Sequence, residues 1–162
     1  MDFVHDQLFN VRPFPILTVV DRFNRQRALL EPRLSFGGQD VVAALERAIA
    51  RAGTPVSITV DHGTEFTSRA LEDWAYRRGV KLHFIRPEKP TETGHIESFN
   101  GRLRDECLNV MPFETPDDAE RKLDAWRIDD NGLRHHSSIC NLTPNEFGRR
   151  RQENRVSVAA TL

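Results

Sequence analysis

The chain has 162 residues, 38% apolar and 29% charged, with 23 Lys and Arg against 24 Asp and Glu. Those figures fit one globular domain with its own core and exclude a disordered polyelectrolyte. No apolar run approaches the roughly 20 residues of a membrane-spanning helix. Met1-Asp2-Phe3-Val4-His5-Asp6 does not read as a secretory signal, and two distant cysteines, Cys107 and Cys140, fit a reducing cytoplasm better than a disulfide framework.

The first third reads as short strands. Asp2 to Leu8 is one, Asn10-Val11-Arg12-Pro13 a turn, Ile16–Val20 a second, and Gln26–Leu30 a third. The short connections imply antiparallel pairing. The period then changes: Val41, Val42, Leu45, Ala48, Ile49 and Ala52 share one face of a helix that Gly53-Thr54-Pro55 stops. Val56–Val60 alternates as a strand and ends at Asp61. Thr67 or Ser68 can cap a helix through Leu71, Trp74 and Ala75, with Gly79 as its stop. Val80–Ile85 is the next strand, and Pro87 and Pro90 bracket a loop. A helix near Gly94–Asn109 follows. Thr115-Pro116-Asp117-Asp118 opens another, and Thr143-Pro144-Asn145-Glu146 repeats that start signal with a capping box. Strand–helix–strand units favour parallel pairing with helices on the faces. The expected architecture is α/β: a mixed five-stranded sheet, three antiparallel strands then parallel additions, flanked by helices. Residues 1–148 form the core and 149–162 a basic tail.

The near-neutral total hides local charge. Twenty of the 23 basic residues are arginine, and residues 77–104 and 147–155 are net basic. Arginine suits bidentate phosphate contacts, so a polyanion partner is compatible with two segments; Arg149-Arg150-Arg151 reads by default as a solvated tail. Among acids, Asp61 ends a strand in Val60-Asp61-His62-Gly63-Thr64-Glu65-Phe66, where crevices of open sheets form. A plain turn aspartate before glycine has the same look. Glu97, Asn100 and Arg104 fall along one polar helical stripe, opposite Ile96, Phe99 and Leu103. Gly101 within that helix suggests a close approach. Asp2 opens the first strand, with Asp6 and Asp21 as rivals for the same role. Three converging carboxylates would suit hard divalent cations, and two such ions about 4 Å apart can serve both the attacking and leaving oxygens of a phosphodiester. Periodicity alone does not show that these acids converge. A zinc site from His135, His136, Cys140 and Cys107 lacks paired-ligand spacing; Cys107, Trp74 and Trp126 read as core residues.

Taken together these residues resemble a known family, bacterial insertion-sequence transposases with a retroviral-integrase-like catalytic core. Asp61 and Glu97 are separated by 35 residues, the spacing of the aspartate-aspartate-35-glutamate signature, and Arg104 follows Glu97 by seven. The Asp61 string, Ile96-Glu97-Ser98-Phe99-Asn100-Gly101, and Asn141-Leu142-Thr143-Pro144 followed by Glu146-Phe147 are family-like. The resemblance implies a ribonuclease-H-like fold and magnesium- or manganese-dependent DNA strand cleavage and strand transfer, with two ions held by Asp2, Asp61 and Glu97. It also implies DNA contacts from Lys89, Asn100 and Arg104, DNA element ends and target as partners, a homo-oligomer, no membrane, and a bacterial cytoplasmic location. The chain departs from the family pattern in three places: Val11 replaces a glycine commonly found there, Asp130 stands where tyrosine is usual, and His135 stands where proline is usual. The upstream part of the first strand and an N-terminal helix-turn-helix region are not matched.

An alternative of another class is a truncated, catalytically inactive remnant that folds and dimerises or binds DNA weakly. A nuclease of the same fold acting on RNA–DNA hybrids is disfavoured by the integrase-like strings.

Overall fold

Three strands open the chain and pair antiparallel in the order β1 (Asp2–Gln7), β2 (Pro13–Val20), β3 (Arg27–Pro32). The register sets Val4 opposite Ile16 and Thr18 opposite both Asp2 and Leu30. Side-chain alternation along each strand sorts Phe3, Leu17 and Leu29 to one face and Val4, Ile16 and Leu30 to the other. Helices cover both faces, which is why every residue of β3 is buried. The coordinates are a computed structural model that describes residues 1–85 and 94–150. The expected loop at Pro87 and Pro90, the DNA-contact candidate Lys89, and residues 151–162 lie outside the described residues.

The first face is covered by α1 (Gly38–Ala52) and α2 (Arg69–Arg78), which pack Val41, Leu45, Leu71 and Trp74 against it. Ser68, of the two capping candidates, starts α2: its Oγ accepts from the Leu71 amide at 3.4 Å. Gly38 begins α1 directly against that cap. A Cβ there would strike both Oγ and Cβ of Ser68, so glycine is what permits the two helix starts to meet. In the chain β4 (Ser57–Val60) lies between these helices and β5 (Lys81–Phe84) follows α2; the two strands pair parallel from Ser57 opposite Lys81 to Val60 opposite Phe84.

The second face is covered by α3 (Gly94–Leu103) and α4 (Pro116–Gly132), which bury Phe99, Leu103, Leu123 and Trp126 with Val4 and Ile16. The helix expected over 94–109 changes form: Arg104–Leu108 is a π-helical turn, with the Asn109 amide reaching back to the Arg104 carbonyl at 2.8 Å. Cys107 is fully buried in that turn, and burial pushes its thiol up to about 11; it is a core residue, as its apolar neighbours imply. Thr115 caps α4 by accepting from the Asp118 amide at 3.1 Å. The box at Thr143 and Glu146 is formed in both directions, at 2.9 and 3.2 Å. It starts α5 (144–150), which runs through Arg149 and Arg150.

One sequence expectation needs correction. The five strands do not form one ladder: β1–β2–β3 and β4–β5 are separate sheets. Where the two meet, the Met1 amino group donates to the Thr59 carbonyl at 2.7 Å, and a ladder requires a run of such pairs rather than one contact. At Gly101 a Cβ would meet open space, so among the described residues nothing packs close against it. Val11 sits at φ +67°. A β-branched residue in the left-handed region costs roughly 1–2 kcal/mol that glycine does not. Among the described residues, no helix is long and apolar enough to cross a membrane.

Candidate active site

The start of β1 and the end of β4 lie side by side where the two sheets meet. Asp2 is the first residue of β1 and Asp61 follows the last residue of β4. The Met1 amino group, bound to β4, reports on both. Burial lowers it to about 6, and the charges of Asp2 and Asp61 pull the other way. Both carboxylates therefore act on the Met1 amino group, although they are 59 positions apart in the chain.

Each acid is held by a local device. The Phe3 amide donates to Asp2 Oδ1 at 2.8 Å, and the Asn100 amide group donates to Asp2 Oδ2 at 2.6 Å. Asp61 Oδ1 accepts from the Gly63 amide at 2.9 Å, forming the turn that its Asp-x-Gly pattern suggested. A Cβ at Gly63 would lie 3.1 Å from Asp61 Oδ1 and 3.3 Å from Glu65 Oε2, a tight fit to which those side chains would have to yield. Asp61 thus has a structural task in its turn, whatever else it does.

Asn100 brings helix α3 to this place. It is half-buried, and its Oδ1 is buried with no hydrogen-bond partner among the described residues. Glu97 sits one turn earlier on the same stripe and is exposed, as are Ser98 and Arg104. Asp2 and Asn100 are joined, Asp2 and Asp61 both act on the Met1 amino group, and Glu97 stands on the helix that bears Asn100. Among the described residues, no three His, Cys, Asp or Glu side chains are gathered as a metal-holding group.

The rival aspartates have other work. Asp21 Oδ1 accepts from the Phe23 amide at 2.7 Å and organises the turn between β2 and β3. Asp6 lies near the far end of β1, where its Oδ1 accepts from the Gln7 amide at 2.8 Å and its charge acts on buried Cys107. Two arginines were not singled out from the sequence. Arg22, at the tip of the β2–β3 turn, is close enough for its charge to oppose that of the Met1 amino group. Arg102, on α3, lies 3.2 Å from His136 Nδ1. The turn sequence Asp21-Arg22-Phe23-Asn24 offered a signal for the first, a basic residue just past a strand end. Nothing local marked the second.

Two family models, both described as integrase core domain, match residues 1–90 and 78–144. The chain is 46% identical over 147 residues to the insertion element IS407 uncharacterized 31.7 kDa protein of Burkholderia multivorans, covering 91% of this chain and 53% of that protein. It is 40% identical over 147 residues to the insertion element IS476 uncharacterized 39.2 kDa protein of Xanthomonas euvesicatoria, covering 91% and 42%. The chain thus spans about half the length of these relatives. The HTLV-2 integrase catalytic core domain in complex with magnesium, in its trimeric form, superposes with a TM-score of 0.72 at 16% identity, covering 90% of this chain and 91% of that one. That likeness establishes a shared ribonuclease-H-like fold.

Proposed function

This chain belongs to the integrase core domain family, among its insertion-element members, and from that premise we propose that it cuts DNA strands at element ends and joins them to a target. Asp2, Asp61 and Glu97 are its acids in this reading, and Asn100 and Arg104 contact DNA near the reacting phosphodiester, with Lys89 as a further contact. The observation that carries the proposal is the hydrogen bond from Asn100 to Asp2. It ties the helix bearing Glu97 to the strand start that neighbours Asp61.

A divalent ion fits this chemistry. Carboxylate oxygens are the donors that magnesium and manganese prefer, and the unpartnered Asn100 Oδ1 beside Asp2 is an acceptor that water around an ion would satisfy. Asp2 and Asp61 would hold the ion, with Glu97 as the third donor. When bound, such ions activate the attacking oxygen and stabilise the leaving one. The protein's own residues set the stage: the Asp61 turn fixes one carboxylate, Asn100 orients another, and Arg22 and Arg104 supply positive charge that positions a phosphate backbone without reading its sequence. The magnesium complex and trimeric form named for the HTLV-2 core support divalent-metal use and self-association here as well.

A second reading is favoured by one observation, the lack among the described residues of three gathered metal donors: a core that folds and binds DNA without cutting it. One assay separates the two. The purified chain is incubated with magnesium or manganese and DNA carrying element ends, and nicked and joined products are counted. The first reading expects metal-dependent products, reduced about 100-fold or more by Glu97→Gln, the scale for removing one group that stabilises transition-state charge, with an unchanged melting temperature. Equal cleavage by wild type and Glu97→Gln removes Glu97 from the site. Folded wild type without products selects the second reading.

A further inference from the structure

We propose that Asp130 is a positioning residue for helix α3, fixing through Arg27, Arg102 and His136 how the helix that bears Glu97 and Asn100 is rolled against the sheet. Four separate parts of the chain meet at this carboxylate. Asp130 comes from α4 and its side chain is fully buried; Arg27 comes from β3, is 5% exposed, and places Nε 2.8 Å from Asp130 Oδ2. His136 follows α4 and holds Nε2 3.7 Å from the same oxygen. Arg102, from α3, holds Nη1 3.8 Å from Asp130 Oδ1 and 3.2 Å from His136 Nδ1.

The proton positions follow from chemistry. Arginine has only donors, so His136 Nδ1 accepts from Arg102 and the ring proton lies on Nε2, facing Asp130. Burial first, and then the charges of Arg27 and Arg102, lower His136 to about 4, so the ring is neutral at pH 7 and can serve in this way. The same arginine that pairs with Asp130 also touches α3 through a ring: the Arg27 guanidinium sits over Phe99, 5.0 Å from its centroid. Next to it, Asn131 locks the backbone of Arg27 in both directions, at 2.8 and 3.0 Å.

Helix α3 therefore has two kinds of attachment. Phe99 and Leu103 bury in the core, but an apolar seam is a poor brake on rolling because it has no direction. Arg102 on one flank and Asn100 on the other supply direction. Asn100 reports the outcome, since its bond to Asp2 requires one roll angle, and Glu97 shares its stripe. The consequence for strand cleavage rests on the function proposed above; the mechanical role stands apart from it.

The test uses the full chain and two variants. Arg102→Gln leaves the buried Arg27–Asp130 pair intact and removes the link on α3 itself; Asp130→Asn removes the centre of the cluster. Amide hydrogen exchange is followed by mass spectrometry, together with thermal melting and, with magnesium, cleavage of element-end DNA. Arg102→Gln is expected to melt near wild type while exchange over 96–103 rises about tenfold and α1 and β4 stay protected, the mark of local opening. Asp130→Asn is expected to show the same pattern at a lower melting temperature. Both are expected to lower kcat with little change in KM for DNA. Unchanged α3 protection in a folded Arg102→Gln overturns the proposal even if Asp130→Asn fails to fold. An even rise across the whole chain in Asp130→Asn, with Arg102→Gln silent, likewise overturns it by showing support of the fold only. If wild type does not cleave, the functional reading falls while the exchange measurement still decides this one.

Discussion

Strand β3 carries an arginine–carboxylate cluster at each end, and the two differ in one variable, access to water. At its far end Glu31 accepts from Arg33 Nε at 2.8 Å and from Arg47 Nε at 3.1 Å, tying the strand to α1. Both arginines are about 40% exposed. Arg33 is raised above its usual value, first by its hydrogen bond to Glu31. At the near end Arg27 faces Asp130 with both side chains buried. Arg27 is lowered to about 10, chiefly by burial, and Asp130 is raised, again chiefly by burial. Moreover, Arg27 Nε, both Asp130 oxygens and His136 Nε2 lack a hydrogen bond of good geometry. The same pair of groups is thus a convenience at one end and a costly commitment at the other. A buried pair seldom adds stability over an apolar one but cannot lose a single member cheaply.

The largest effect expected from this contrast follows removal of one buried partner. Arg27→Met keeps an apolar stem over Phe99 and leaves Asp130 buried with only the neutral His136 at 3.7 Å and Arg102 at 3.8 Å, so it is expected to cost about 3–5 kcal/mol in urea unfolding. Adding Asp130→Leu to it should recover most of that loss. A single-variant cost below about 1 kcal/mol would mean that the buried cluster behaves like a surface pair.

How far this was legible in the sequence depends on the range of each interaction. Local signals served well. The periodicity over 41–52, the capping residues Ser68 and Thr115, and the Thr143–Glu146 box each act within a few residues, and each appears where expected. The 35-residue spacing of Asp61 and Glu97 was legible only through family resemblance. The pairing of β4 with β5 but not with β1 depends on contacts that no strand pattern encodes. Arg27 and Asn131 are 104 positions apart, and Asp130 registered only as a departure from a tyrosine. The π-helical turn at Arg104–Leu108 had no signal, because the apolar stripe of Phe99, Leu103 and Cys107 fits an ordinary helix equally well.

The second effect is a pH dependence confined to the buried end. His136 holds about 4 in the fold against roughly 6.5 in an unfolded chain. Its folded value is depressed, so its stabilising contribution is complete above about pH 6.5 and is lost as pH falls toward 4. Between pH 7 and 5 the wild type should lose about 2 kcal/mol more than His136→Gln. Asp130, raised by burial, takes up a proton earlier than an ordinary carboxylate and offsets part of that loss, so the variant comparison is the decisive quantity. Parallel unfolding curves for the two proteins across that range would show that His136 is not held neutral by its surroundings.

The smallest effect belongs to the wet end. Arg47→Met removes one of two arginines from Glu31, whose side chain is 9% exposed but keeps Arg33 at 2.8 Å. Arg33 also holds Asp40 at 2.9 Å, so α1 remains tied to β3 through its first turn. Water solvates the displaced groups, and the expected cost is within about 1 kcal/mol, shrinking further at high salt. Measured beside Arg27→Met in the same buffer, it sets the scale of the contrast. If Arg47→Met instead costs several kcal/mol and ignores salt, Glu31 is as dependent on its partners as Asp130, and solvent access is not what separates the two ends of β3.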